Sequence, residues 1–166
     1  MPLFEEEAQI KRWLMALLLS GVHSASVWAQ NADFEVARIQ AEVVLEDDFT
    51  IRSQEDLDGL IAAAGDSSFI ITGNLTVEQS ALTTLAGLCN LTSVGSLVID
   101  RNAALTSLAA LSNLTRVKSL TIRFNGSLTT LEGLNNLTSV GGYLAIANNA
   151  ALTSVAALSK LTHVGG

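Results

Sequence analysis

The chain has 166 residues, 49% apolar, 15% charged and 5% aromatic, which excludes a disordered chain and calls for one domain with a core of Leu, Val, Ile and Ala. The formal net charge is −7 with few, scattered basic residues, so the concentrated cationic surface that nucleic acid requires is excluded. The carboxylate excess serves solubility, or attraction to a cationic partner or metal.

Residues 1–29 read as an export signal. Lys11 and Arg12 precede an apolar run from Trp13 to Leu19, weakly extended to Val22, and small residues lead to Val27-Trp28-Ala29. That order is the order of a secretory signal peptide cleaved after Ala29, although Glu5, Glu6 and Glu7 precede the basic pair. The run is shorter than the ~20 residues that span a membrane. Membrane association is therefore expected only through an anchor outside this sequence or an uncleaved N-terminus. Residues 30–48 are polar and acidic, ending Glu46-Asp47-Asp48, and read as a leader or linker.

Residues 49–72 predict a strand–helix–strand cap. Phe49-Thr50-Ile51 suits a first strand. Ser53-Gln54-Glu55-Asp56 has the spacing of a capping box, with Asp56 as a shorter substitute for Glu. Leu57, Leu60, Ile61 and Ala64 follow at helical spacing, Gly65 is a fitting stop, and Ser68 to Thr72 reads as the second strand. A helix there would cover the first layer of a stack.

From Gly73 the chain repeats itself in units 73–94, 95–117, 118–140 and 141–164, with the next incomplete from 165. Leu75, Leu97, Leu120 and Leu144 are equivalent, with steps of 22, 23 and 24 residues, a period that marks a solenoid. The first half of each unit alternates, as in Leu97-Val98-Ile99-Asp100, and predicts a short strand with one buried face. Three residues past the second apolar position stands Asn102, Asn125 or Asn149, with Ser80 at that place in the first unit. These side chains suit an asparagine ladder that ties backbone groups of adjacent turns, weaker at Ser80; turn-favouring asparagines are the alternative. The second half spaces its apolar residues by three, as in Leu105, Leu108, Leu111, Leu114 and Val117. Steps of three drift around an α-helix and leave no apolar face, so this half predicts an irregular or 3₁₀-like return arm. One unit is too thin to bury its own leucines, and stacking in parallel supplies the cover.

The pattern L-x-[IV]-x-x-N-x-x-L-T-[ST]-[LV]-x-x-L-x-x-L-T-x-V resembles a leucine-rich repeat over 73–166. The variant is similar to receptor L-domain repeats of growth-factor-receptor ectodomains and of microbial and fungal surface proteins. The resemblance implies an α/β solenoid, mostly β: a right-handed coil with a parallel sheet on one face, a short N-terminal capping helix and irregular or 3₁₀ return arms. It also implies a secreted or cell-surface location and a recognition role toward an extracellular protein or glycan. Receptor L-domains usually carry cysteine-stapled ends, whereas Cys89 stands alone in this chain and is expected to be unpaired or to pair between chains.

Outward strand positions form the usual binding face of such a repeat. They are Thr76 and Glu78; Ser96, Val98 and Asp100; Ser119, Thr121 and Arg123; Tyr143, Ala145 and Ala147. Glu78, Asp100, Arg123 and Tyr143 are the ligand-patch candidates; a solvated face with a modest cross-strand ion pair is the alternative. N-x-[ST] sequons occur at Asn74, Asn90, Asn113, Asn125 and Asn136. Asn90, Asn113 and Asn136 share one repeat position expected to be exposed and are the possible N-glycosylation sites, whereas Asn125 belongs to the expected ladder. No catalytic, cofactor-binding or metal-ligating set stands out. His163 lacks a partner motif, and Asp47-Asp48 and Glu55-Asp56 fit no calcium loop.

A recognition module is therefore the leading expectation, and an enzyme is not expected. A cell-envelope or matrix spacer or adhesin segment is the alternative. Ice binding by the rows Thr83, Thr106, Thr129, Thr153 and Thr92, Thr115, Thr138, Thr162 is the least favoured reading. Because the last unit lacks the strand and cap that should follow it, the sequence is expected to be a fragment.

Overall fold

The computed structural model describes residues 42–165. The expected signal peptide, and the leader before Glu42, lie outside the described residues. Among the described residues, eight parallel strands form one open sheet accompanied by one α-helix: β1 (Val43–Leu45), β2 (Phe49–Ile51), α1 (Gln54–Ala64), β3 (Phe69–Glu78), β4 (Leu91–Asp100), β5 (Arg116–Arg123), β6 (Ser139–Val140), β7 (Leu144–Ala147) and β8 (His163–Val164). The order runs β1-β3-β4-β5-β6-β8, with β2 also beside β3 and β7 also beside β5. Each repeat unit thus adds one rung, and consecutive rungs are neighbours.

Register follows the repeat. Leu75 faces Leu97, Leu97 faces Leu120, and Leu120 faces Leu144. Val77, Ile99, Ile122 and Ile146 align in the same way, so period-two alternation places two aliphatic rows on the inner face. Leu75, Val77, Leu97, Ile99, Leu120 and Ile122 are all buried. The arms contribute Leu105, Leu108, Leu111 and Leu114, then Leu128, Leu131, Leu134 and Leu137, all buried in the same core. Burying a side chain of this size stabilises by about 1.5–3 kcal/mol. In the rung after Val140 the equivalents Leu144, Ile146, Leu152, Leu158 and Leu161 are half-buried, and Val155 is 55% exposed.

Helix α1 forms where the capping pattern predicts. Ser53 Oγ accepts from the Asp56 amide at 3.2 Å, and Asp56 Oδ2 accepts from the Ser53 amide at 2.9 Å. The Arg52 amide donates to the same carboxylate oxygen at 2.9 Å. That bond, then the Ser53 hydroxyl, holds the Asp56 carboxyl below its ordinary value of 3.8. Leu57, Leu60 and Ala64 face the core, and Gly65 ends the helix at φ 67° with its amide on the Ile61 carbonyl.

Three features depart from the expected layout. Val43–Leu45, inside the stretch read as a leader, is strand β1, paired with Phe69–Ile71. Its Val43 and Leu45 pack on the core while Val44 is exposed, an alternation too short to register among the flanking acids. The ends of the arms are also not irregular. Leu91–Val94 opens β4, Arg116-Val117 opens β5, and both lie in the sheet. The register slips where β3 meets β4, between Phe69 and Ile70 and again between Ile71 and Asn74, whereas β4 and β5 keep one register through the same stretch. Finally, the expected 3₁₀ turns do not all fall at one repeat position. Ala109–Leu111 and Ala156–Leu158 are equivalent, whereas Leu88–Asn90 starts later, after Gly87, and Gly87 and Gly133 share φ of 105° and 107°.

Candidate ligand-binding face

The ladder residues fix the edge of the face. Asn102 Oδ1 accepts from the Ser80 amide at 3.0 Å and from Ser80 Oγ at 2.7 Å. Asn125 Oδ1 accepts from the Asn102 amide at 3.0 Å, and Asn149 Oδ1 from the Asn125 amide at 3.0 Å. In return, the Nδ2 groups of Asn102, Asn125 and Asn149 donate to the carbonyls of Val77, Ile99 and Ile122 at 2.9, 3.0 and 2.9 Å. The asparagines therefore line up from rung to rung. Ser80 has no side-chain amide, so its hydroxyl donates into the ladder and closes its end.

The residue before each ladder position is left-handed: Gln79, Arg101, Phe124 and Asn148 have φ of 51°, 55°, 57° and 56°. Their amides reach across rungs, from Gln79 to the Asp100 carbonyl, Arg101 to Arg123 and Phe124 to Ala147. None of the four is glycine. Arg101 and Phe124 escape a sequence reading because no strand or ladder pattern includes them. The available signal was a fixed position ahead of each ladder residue, filled by unlike side chains. Arg101 lies over the Phe124 ring, 5.2 Å from its centroid, and Phe124 remains 43% exposed. An exposed cation–π contact is worth about 0.5–1 kcal/mol, whereas a left-handed backbone costs a bulky residue about 1–2 kcal/mol. The contact does not offset the strain.

Three of the four patch candidates come together. Glu78, Asp100, Arg123 and Ala147 are consecutive cross-strand partners. Glu78 pairs with Arg52, a residue the sequence reading did not single out. Asp100 accepts from Arg101 at 2.7 Å and from Arg123 Nε and Nη2 at 3.1 and 3.4 Å. Its side chain is only 5% exposed, against 55% for Arg101 and 47% for Arg123. Asp100 thus has the expected register but is covered, because two guanidinium groups close over it. Tyr143 stands apart, 55% exposed and just ahead of β7, about 13 Å from Ala147 at the usual rise of a strand. Between these ends Thr76, Val98, Thr121 and Ala145 share a row of small side chains.

The possible glycosylation positions form a second ladder that the sequence reading missed. Nδ2 of Asn90, Asn113 and Asn136 donates to the carbonyls of Asp66, Cys89 and Ser112 at 3.1, 2.7 and 2.8 Å. Asn113 and Asn136 are exposed, Asn90 is half-buried, and Asn125 is buried. A glycan on these nitrogens would compete with the bonds to the preceding rung. Lys160, at the same place in the next unit, donates to Asn136 Oδ1 at 2.8 Å. The threonine rows are also engaged: Oγ1 of Thr115, Thr138 and Thr162 donates to the carbonyls of Thr92, Thr115 and Thr138, each at 3.1 Å. Thr106 and Thr153 do the same toward Thr83 and Thr129.

Cys89 is exposed and unpaired, and His163 lies exposed in β8. Among the described residues no group of three His, Cys, Asp or Glu could hold a metal ion, and no helix is long and apolar enough to cross a membrane. Every buried side-chain nitrogen or oxygen among them has a hydrogen-bond partner. Comparison with protein-family models, curated proteins and solved structures gives no match.

Proposed function

We propose that this chain is a leucine-rich-repeat solenoid of the receptor L-domain type. On this reading it is secreted or displayed at a cell surface, and it binds an extracellular protein or glycan through its outward strand positions. The observation that carries the reading is the alignment of Asn102, Asn125 and Asn149, each tied to the rung before it. Such a stack supports a long, evenly spaced strand face whose shape does not depend on the side chains it displays. An enzymatic role lacks a supporting constellation. A spacer or adhesin segment is the second reading, favoured by the small side chains in the row through Val98, Thr121 and Ala145.

The test is a screen of the full chain against immobilised glycans and extracellular proteins, followed by Val98→Arg and Ala145→Arg. Recognition through the strand face requires at least one ligand and a tenfold or greater loss of affinity in these variants at unchanged thermal midpoint. A chain that captures nothing, or ligands indifferent to both substitutions, would leave the spacer reading standing.

A further inference from the structure

We propose that Arg101, Arg123 and Phe124 form a binding site for an acidic sugar, a glycan that presents a uronic carboxylate beside an apolar pyranose face. The proposal rests on the recognition reading above and names its ligand class.

The first argument is charge. Along this edge Arg52 is matched by Glu78, and Arg123 and Arg101 share the single carboxylate of Asp100. One positive charge is left over, on a chain whose formal net charge is −7. A solubilising surface on an acidic protein does not call for a local cationic surplus.

The second argument is preorganisation. Asp100 is buried and accepts one bond from Arg101 and two from Arg123. Those bonds orient both guanidinium planes while about half of each side chain stays exposed. Their remaining N–H groups have no protein partner among the described residues. Planar donor forks held in this way match a carboxylate geometrically and lose little freedom on binding it.

Phe124 supplies the third argument. It keeps a left-handed backbone, at φ 57°, and a large exposed ring beside the two arginines. Gln79, Arg101 and Asn148 hold the same backbone without an aromatic ring, so the fold does not call for phenylalanine here. An exposed aromatic ring beside a carboxylate-binding fork suits the C–H face of a sugar, which packs on the electron-rich ring face. Across from Arg123 stands Ala147, whose small side chain leaves the space beside the two guanidinium groups open.

The experiment titrates the full chain with a mannuronate hexasaccharide, a neutral mannose hexasaccharide and a hexaglutamate peptide at physiological salt. The expected result is binding of the mannuronate alone. Arg101→Gln leaves the Arg123–Asp100 pair in place and should weaken binding about tenfold. Phe124→Asn, which copies the residue at Asn148, should weaken it comparably without lowering the thermal midpoint. No binding of mannuronate, equal binding of hexaglutamate, or indifference to Arg101→Gln would each overturn the site. A ligand found in the wider screen that ignores Arg101→Gln would overturn this inference and leave the recognition reading intact.

Discussion

Asn125→Ala isolates what the ladder contributes. Asn125 is fully buried, and its side-chain amide accepts from the Asn102 backbone amide and donates to the Ile99 and Arg123 carbonyls. Removing Oδ1 orphans the Asn102 backbone amide, which donates to it at 3.0 Å, and removing Nδ2 takes one donor from the Ile99 carbonyl, also at 3.0 Å, which keeps its place in the ladder between β4 and β5. The buried orphan amide costs about 1–3 kcal/mol and each of the two carbonyl bonds lost about 0.5–1.5 kcal/mol, so the substitution should destabilise by about 4 kcal/mol, a large part of the 5–15 kcal/mol typical of a domain. Asn149 makes the equivalent bonds from a half-buried place, where water can replace them, and its loss should cost about 1–2 kcal/mol. Ser80→Ala loses only the hydroxyl bond, since the Ser80 amide still reaches Asn102 Oδ1, and should cost about 1 kcal/mol. Urea unfolding followed by far-UV circular dichroism measures the series, and amide hydrogen exchange at Asn102 reads the local opening that a stacked array allows. An Asn125→Ala cost no larger than that of Asn149→Ala would refute the argument, because burial is what separates the two.

Two further outcomes follow from backbone and cap. A Cβ on Gly133 would lie 1.8 Å from the Leu108 carbonyl oxygen at a φ of 107°, so Gly133→Ala should destabilise by more than about 2 kcal/mol. Gly126 has nothing within 4 Å of its Cβ direction, and Gly126→Ala should be neutral or stabilise by about 0.4–1 kcal/mol in the same urea assay. At Asp56 the folded carboxyl is held below 3.8 by the Arg52 amide and the Ser53 hydroxyl, so folding favours its ionised form. The stabilisation is complete above the unfolded value and is lost as pH falls through the lowered folded value. Asp56→Asn should therefore flatten the acid limb of thermal midpoint against pH below about 4; an unchanged acid limb would remove the cap from the account.

Much of this layout is legible in the sequence because its causes are local or strictly periodic. The capping box needs only Ser53 and Asp56 three residues apart, and Leu97 and Ile99 alternate within one strand. The asparagine row is legible for a related reason: a polar residue at a fixed distance from two buried ones must be satisfied from the next rung. What escaped depends on how neighbouring rungs are offset. The strand character of Leu91–Val94 and Arg116-Val117 follows from pairing with the neighbouring rung rather than from the spacing itself. The bonds of Asn113 and Asn136 to Cys89 and Ser112 escaped because Asn-Leu-Thr reads first as a sequon. Asp100 was placed at the right register, but its burial comes from Arg101, which leaves the strand through a left-handed turn.

Duties therefore divide cleanly among the positions of a unit, and the division bears on where function sits. Inward leucines supply the cohesion. Two asparagine rows and the threonine hydroxyls satisfy backbone groups at the bends. A side chain committed to any of these is not free to meet a ligand without loosening the stack. That removes Asn90, Asn113, Asn136 and the threonines from the exposed inventory, although several of them are solvent-accessible. Asp100 is likewise withdrawn, as the anchor of two arginines rather than a contact in its own right. The large groups that remain on the strand side without a structural task are Arg101, Phe124, Tyr143 and the outer half of Arg123. Tyr143 lies too far along the strand to act with the others on a small ligand. The cationic edge and the tyrosine therefore belong to one surface only if the ligand is an extended chain of several units lying along the strands.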